Sequence, residues 1–147
     1  MPGRAESVAL GAVLFDMDGT LIDSAPDLAG AANALRRRHG LVPLPFEQLR
    51  PLVGTGARGM VWAAFGVGPD DASFPALRDA FLSLYEANLL VHTVVFPDIL
   101  VVLEMLAQHQ IPWGIVTNKA TRFATPVVTG LGLHVKTAVL VCGDTTA

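Results

Sequence analysis

Val13-Leu14-Phe15-Asp16-Met17-Asp18-Gly19-Thr20-Leu21-Ile22-Asp23-Ser24 is the stretch that decides the fold. It continues an apolar run that begins at residue 7 and carries no charge as far as Phe15. A short uncharged run rich in Val and Leu, ending abruptly in polar residues, predicts a strand buried on both faces. Two carboxylates follow, two residues apart, a spacing that puts both on one face of an extended chain. Gly19 then lets the backbone turn sharply. The pattern predicts a pair of acids at the carboxyl end of a central strand, where open α/β sheets place their ligands.

A bare Asp-x-Asp also occurs in metal-binding glycosyltransferases and by chance. With the strand before it and Gly19-Thr20 after it, Asp16-Met17-Asp18 resembles the signature of the haloacid dehalogenase superfamily. The extension Leu21-Ile22-Asp23-Ser24 strengthens that resemblance. The resemblance implies an α/β fold: a Rossmann-like three-layer core with a parallel sheet and an inserted α-helical cap. Residues 1–22 then hold the first strand and catalytic loop, 23–93 the cap, and 94–147 the second and third strands. Attack on a phosphate ester needs a nucleophile, a proton for the leaving oxygen and cations to offset charge repulsion. The resemblance assigns the nucleophile to Asp16, through an aspartyl-phosphate, and the general acid/base to Asp18. It also places Mg²⁺ against the Asp16 carboxylate and the Asp18 backbone carbonyl. Mg²⁺ favours hard oxygen ligands and keeps several waters.

The chain of 147 residues is long enough for one domain with a real core. Its 52% hydrophobic content suits a buried sheet under helices. No apolar run reaches about 18 residues, so no transmembrane helix is expected. The short polar start argues against a cleaved signal peptide. A single cysteine, Cys142, excludes an internal disulfide framework and fits a reducing cytoplasm. A net charge of −3 gives no electrostatic case for a nucleic-acid or membrane partner.

Beyond the motif, Ser24 is expected to cap a helix, with Asp27 in the capping-box position. Leu28, Ala31, Ala32 and Leu35 give the helix its apolar face. Arg36, Arg37 and Arg38 read as its solvated last turn and Gly40 as its stop. A short helix is expected around residues 46–53. Gly54-Thr55-Gly56-Ala57-Arg58-Gly59-Met60 follows no strand and is therefore no dinucleotide fingerprint. It predicts a loop opening a helix whose free N–H groups suit an anion. In the resembled enzymes this region closes over the site, which makes Arg58, with Gly56, the candidate for the substrate's distal groups. Trp62, Phe65, Phe81 and Tyr85 read as the cap's own small core, and His92 as structural.

Ile99, Val102, Leu103, Leu106 and Ala107 mark the next helix. Residues 113–118 then read as a strand ending in polar groups. This resembles the second superfamily motif, which assigns Thr117 to a phosphate oxygen, supported by backbone N–H groups near Asn118 and Lys119. Lys119 is a weaker candidate for the phosphate, since the family's lysine lies downstream of the third strand. That strand is expected over residues 138–142, with Cys142 in the core. Asp144 falls in the loop after it, too soon after Thr117 to be the family's last acid. The family's lysine and last metal-binding acid are expected beyond Ala147, so the sequence reads as truncated at its C-terminus, with the first strand left as an apolar edge. Together the motifs resemble phosphoglycolate phosphatases and their close relatives acting on N-acetylmuramic acid 6-phosphate. The implied partner is a small phosphorylated metabolite carrying a carboxylate. A non-catalytic fragment is the rival expectation.

Overall fold

A strand-turn-helix order that changes period twice along the chain produces two structural regions, a small parallel sheet and a helical unit between its first and second strands. The computed structural model describes residues 9–145. In chain order the elements are β1 (Val13–Phe15), β2 (Ile22–Asp23), α1 (Ala25–Arg38), α2 (Phe46–Leu49), α3 (Gly56–Phe65), α4 (Phe74–Glu86), β3 (Val94–Val95), α5 (Pro97–Gln108), β4 (Trp113–Val116), α6 (Thr121–Gly130) and β5 (Leu140–Val141). Short 3₁₀ turns cover Arg50–Thr55 and Leu133–Val135.

The sheet runs β1-β4-β5, all parallel. Phe15 pairs with Ile115, and its ring meets Trp113 edge-on at 5.8 Å. Phe15 and Ile115 join a buried cluster with Leu103 and Leu106 of α5 and Phe123, Val127 and Val128 of α6. The neighbouring row is different. Leu14 is 64% exposed, and Val116 and Val139 are exposed as well. Gly114 sits between Leu14 and Val139, where a Cβ would come within 2.6 Å of Val139 Cγ1. The expectation of a strand buried on both faces is therefore corrected for β1. Side chains alternate across a strand, and among the described residues only one of the two rows is covered. Among the described residues β1 pairs with β4 alone and forms an edge of the sheet, the apolar edge that the sequence reading expects.

Strands β2 and β3 pair antiparallel, Ile22 with Val95 and Asp23 with Val94. This two-stranded ribbon brings the two ends of the helical unit side by side. Between them α1 packs on α3 and α4, and α3 packs on α4. Leu28, Ala31, Ala32 and Leu35 are buried, as their spacing predicts, and Gly40 takes the positive φ (+71°) that stops α1. Arg36 is not simply solvated. Its Nε donates to the Val42 carbonyl at 2.8 Å, and its Nη1 donates to the Ala64 carbonyl. On α3, Met60, Val61 and Ala64 take the buried side, which turns Trp62 outward, so Trp62 is not part of that core.

Two capping expectations are also corrected. Ser24 stands at the N-cap of α1 but makes no capping bond, because its hydroxyl is directed to Asp18. Asp27 is buried and binds the far end of the helical unit. It accepts from the backbone N–H of His92 and from the N–H and hydroxyl of Thr93, the last at 2.6 Å. A buried carboxylate needs such donors, and here they tie α1 to the segment entering β3.

Candidate active site

Backbone hydrogen bonding shapes the turn after β1. The N–H groups of Thr20, Leu21 and Ile22 all donate to the Met17 carbonyl, at 3.3, 3.0 and 3.1 Å. Gly19, at φ +77°, donates to the Ile22 carbonyl at 2.9 Å. Met17 is fully buried and anchors the turn. Its neighbours Asp16 and Asp18 are thereby turned away from the core, Asp16 into the open and Asp18 half-buried.

The end of β4 supplies the second part. Thr117 is buried, and its N–H donates to the Val141 carbonyl at 2.8 Å. Its hydroxyl accepts from the Lys119 N–H at 3.1 Å, which curls residues 117–119 into a small turn. The loop after β5 closes on that turn. Gly143 N–H donates to the Lys119 carbonyl at 3.0 Å, and a Cβ at Gly143 would lie 2.3 Å from the Asn118 carbonyl oxygen, so only glycine fits. Asp144 accepts from the N–H and hydroxyl of Thr121, at 2.8 and 2.5 Å, and so fixes the start of α6. These bonds hold the Asp144 carboxyl below the usual carboxylate range.

Asp16, Asp18, Thr117, Asn118, Lys119 and Gly56 line one cavity of about 330 Å³. Leu28, Val53, Phe81, Leu82 and Tyr85 form its opposite, largely apolar wall. Arg58 does not join them. It lines a separate cavity with Leu52, Trp62 and Pro69, because the turn of α3 that brings Gly56 to the site carries Arg58 to the outer side. The structure therefore places Arg58 apart from Asp16 and Asp18.

Lys119 is the sole cationic side chain lining the first cavity among the described residues. Its Nζ donates to Tyr85 Oη at 2.6 Å and lies 3.2 Å from Asp18 Oδ1. The Ser24 hydroxyl donates to the same Oδ1 at 2.6 Å. Burial pushes the Lys119 ammonium below its ordinary pKa, with Asp18 acting in the opposite sense. Burial, reinforced by the charges of Asp18 and Asp27, holds the Tyr85 phenol far above its ordinary value. The sequence reading missed this contact of Tyr85 by assigning the whole residue to the cap's core. Its hydroxyl was the available signal, since a buried tyrosine O–H takes a polar partner.

The oxygens at the end of β1 suit a divalent cation. Asp16 offers an open carboxylate, and the turn's N–H groups are spent on Met17 and Ile22, leaving the Asp18 carbonyl unclaimed by them. Two hard oxygens fit Mg²⁺, which retains waters in its remaining positions. Among the described residues no group of three or more His, Cys, Asp or Glu side chains converges as a metal site. Among the same residues no helix is long and apolar enough to cross a membrane.

Comparison with known proteins gives a consistent answer. The model of the haloacid dehalogenase-like hydrolase family matches residues 13–147. An N-acetylmuramic acid 6-phosphate phosphatase of Pseudomonas aeruginosa is 43% identical over 135 residues, covering 92% of this chain and 60% of that protein. A phosphoglycolate phosphatase of Xanthomonas campestris is 44% identical over 136 residues, covering 92% of this chain and 61% of that protein. The chain therefore spans about three fifths of the length of these relatives. Among solved structures, a predicted phosphoglycolate phosphatase from Haemophilus somnus superimposes with a TM-score of 0.78 at 24% identity, covering 93% of this chain and 64% of that one. That likeness concerns the fold.

Proposed function

Because the chain belongs to the haloacid dehalogenase-like hydrolase family, we propose that it carries the nucleophile half of a phosphomonoester hydrolase acting through an aspartyl-phosphate. The observation that carries this reading is the convergence of Asp16, Asp18 and Thr117, from the ends of adjacent parallel strands, on one cavity. In this reading residues 23–93 are the cap, and 1–22 and 94–147 belong to the core.

Asp16 attacks phosphorus while Asp18 gives a proton to the leaving alcohol oxygen. Asp18 then takes a proton from the water that hydrolyses the acyl phosphate. Ser24 and Lys119 both engage Oδ1 of Asp18, which leaves Oδ2 to move the proton. The Thr117 hydroxyl, already accepting from Lys119 N–H, remains free to donate to a phosphoryl oxygen. Asn118 and Lys119 flank the same oxygen site. Mg²⁺, held by the Asp16 carboxylate and the Asp18 carbonyl, would offset the charge of the phosphoryl group.

The first substrate proposed is 2-phosphoglycolate, a small metabolite joining phosphate to carboxylate. With Arg58 outside the cavity, its carboxylate falls to Lys119 or to the N–H groups around Gly56. A second reading, N-acetylmuramic acid 6-phosphate, is favoured by the cavity. Its apolar wall, from Leu28, Val53, Phe81 and Leu82, suits the face of a sugar ring. The site of action proposed is the cytoplasm, without nucleic-acid or membrane partners.

The test is Mg²⁺-dependent phosphate release from both compounds by this chain and by Asp16→Asn. Release that the variant loses supports the reading. No release above the variant from a folded chain supports the rival, a fragment whose chemistry is incomplete.

A further inference from the structure

Three features stand apart from the motifs: the bare row of the sheet around Leu14, the outer cavity around Arg58 and Trp62, and the contact between α4 and the loop after β4. The first two carry no indication of what occupies them. The third is built from buried, paired groups.

Tyr85 is buried in α4, its ring stacked near Phe81 at 6.5 Å and tilted against Phe123 of α6 at 5.8 Å. Its hydroxyl faces the cavity, where it accepts from Lys119 Nζ at 2.6 Å. The Lys119 and Asp18 side chains are only 8% and 16% exposed. A four-carbon stem is otherwise free to swing its ammonium. Here that freedom is removed from both ends, by a carboxylate on the sheet side and a phenol on the helical side. Among the described residues the remaining polar side-chain pair between α4 and α6, Glu86 with Arg122 at 3.2 Å, is exposed, and exposed pairs constrain little.

We propose that Tyr85 is a positioning residue, its hydroxyl holding the Lys119 ammonium against Asp18 so that the placement of α4 over the strand ends sets the cavity's cation. The substrate consequence rests on the phosphatase reading; the contact itself does not. When α4 lies over the strand ends, Lys119 stands beside the acid. When α4 lifts, Lys119 loses one of its two partners, and cation and acid are no longer jointly fixed. The Lys119 ammonium also lies 4.3 Å from the centroid of the Tyr85 ring, a cation–π contact that Tyr85→Phe keeps, so that variant isolates the hydroxyl.

The sequence has two lysines, Lys119 and exposed Lys136, and one tyrosine. Reductive methylation with labelled formaldehyde therefore reads Lys119 against an internal control. In the unmodified chain Lys119 should react about tenfold more slowly than Lys136, as buried paired groups do. Tyr85→Phe should raise the Lys119 rate roughly threefold or more, with Lys136 unchanged. Equal Lys119 rates in the two folded proteins, or a Lys119 as reactive as Lys136 from the start, overturn the proposal. A second measurement avoids any folding defect in that variant. With ¹³Cζ-tyrosine the chain gives a single signal, which should shift in Lys119→Met; an unchanged signal overturns the contact. Where the chain hydrolyses phosphoglycolate, Tyr85→Phe should lower kcat about tenfold and leave KM within about twofold. An unchanged kcat alongside a faster-reacting Lys119 overturns the positioning role. A chain with protected Lys119 and no turnover sinks the phosphatase reading and leaves the contact standing.

Discussion

The two sides of the cavity are built on different principles. The floor, at the ends of β1 and β4, is polar, and its geometry comes from backbone bonds: three N–H groups on the Met17 carbonyl, and Lys119 N–H on the Thr117 hydroxyl. The wall, from α1, the Arg50–Thr55 turn and α4, is largely apolar and is placed by helix packing. A floor fixed by local bonding tolerates change around it. A wall fixed by packing moves whenever a large side chain is removed. In the proposed function, specificity falls to the wall and chemistry to the floor.

The largest expected effect breaks the wall. Phe81 is nearly fully buried between α4 and its neighbours, and Phe81→Ala should cost about 3–5 kcal/mol in a denaturant titration. A loss under about 1 kcal/mol would mean that the wall collapses freely and does not define the cavity. Next comes the tie between the two ends of the helical unit that carries the wall. Asp27→Ala strips a buried carboxylate from the N–H groups of His92 and Thr93 and the Thr93 hydroxyl. The expected loss is about 2–3 kcal/mol, the cost of orphaned buried donors, and Asp27→Asn should recover part of it.

A smaller effect is read by pH. The folded pKa of Tyr85 lies above its unfolded value, so its contribution to stability is complete below the unfolded pKa of about 10 and declines as the pH rises from there toward the folded value. With one tyrosine in the chain, phenolate absorbance should appear only together with loss of the folded circular dichroism. Ionisation of a still-folded chain near the ordinary phenol pKa would show that the phenol is not enclosed. The smallest effect concerns the outer side of the helical unit. Arg58→Ala should change KM by less than about twofold, since Arg58 lines a different cavity. A large rise in KM would bring Arg58 back to the substrate.

The same contrast explains what the sequence revealed. The floor was legible because Asp16-Met17-Asp18-Gly19-Thr20 and Val116-Thr117-Asn118-Lys119 encode turns within a few residues, where spacing determines geometry. The α/β architecture with a parallel sheet followed from the family resemblance that these motifs carry. The wall was legible only as apolar periodicity, which finds helices but not their rotation. Trp62 lies outside the helical core and Arg58 stands apart from the acids for that reason: the rotation of α3 decides which side chains turn inward. Ser24 and Asp27 have capping chemistry in sequence, but tertiary partners, Asp18 and the 92–93 segment, claimed their oxygens. The uncovered row at Leu14 could not be seen in a run that reads as uniformly apolar.

The central claim is that Asp16 is the nucleophile. Its most direct test is an acid-quenched incubation of the chain with Mg²⁺ and substrate, followed by mass-spectrometric mapping of the phosphorylated peptide. Phosphate is expected on Asp16, absent from Asp16→Asn and released on longer incubation of the unmodified chain. Turnover that leaves phosphate on another residue, or that persists in Asp16→Asn, would contradict it.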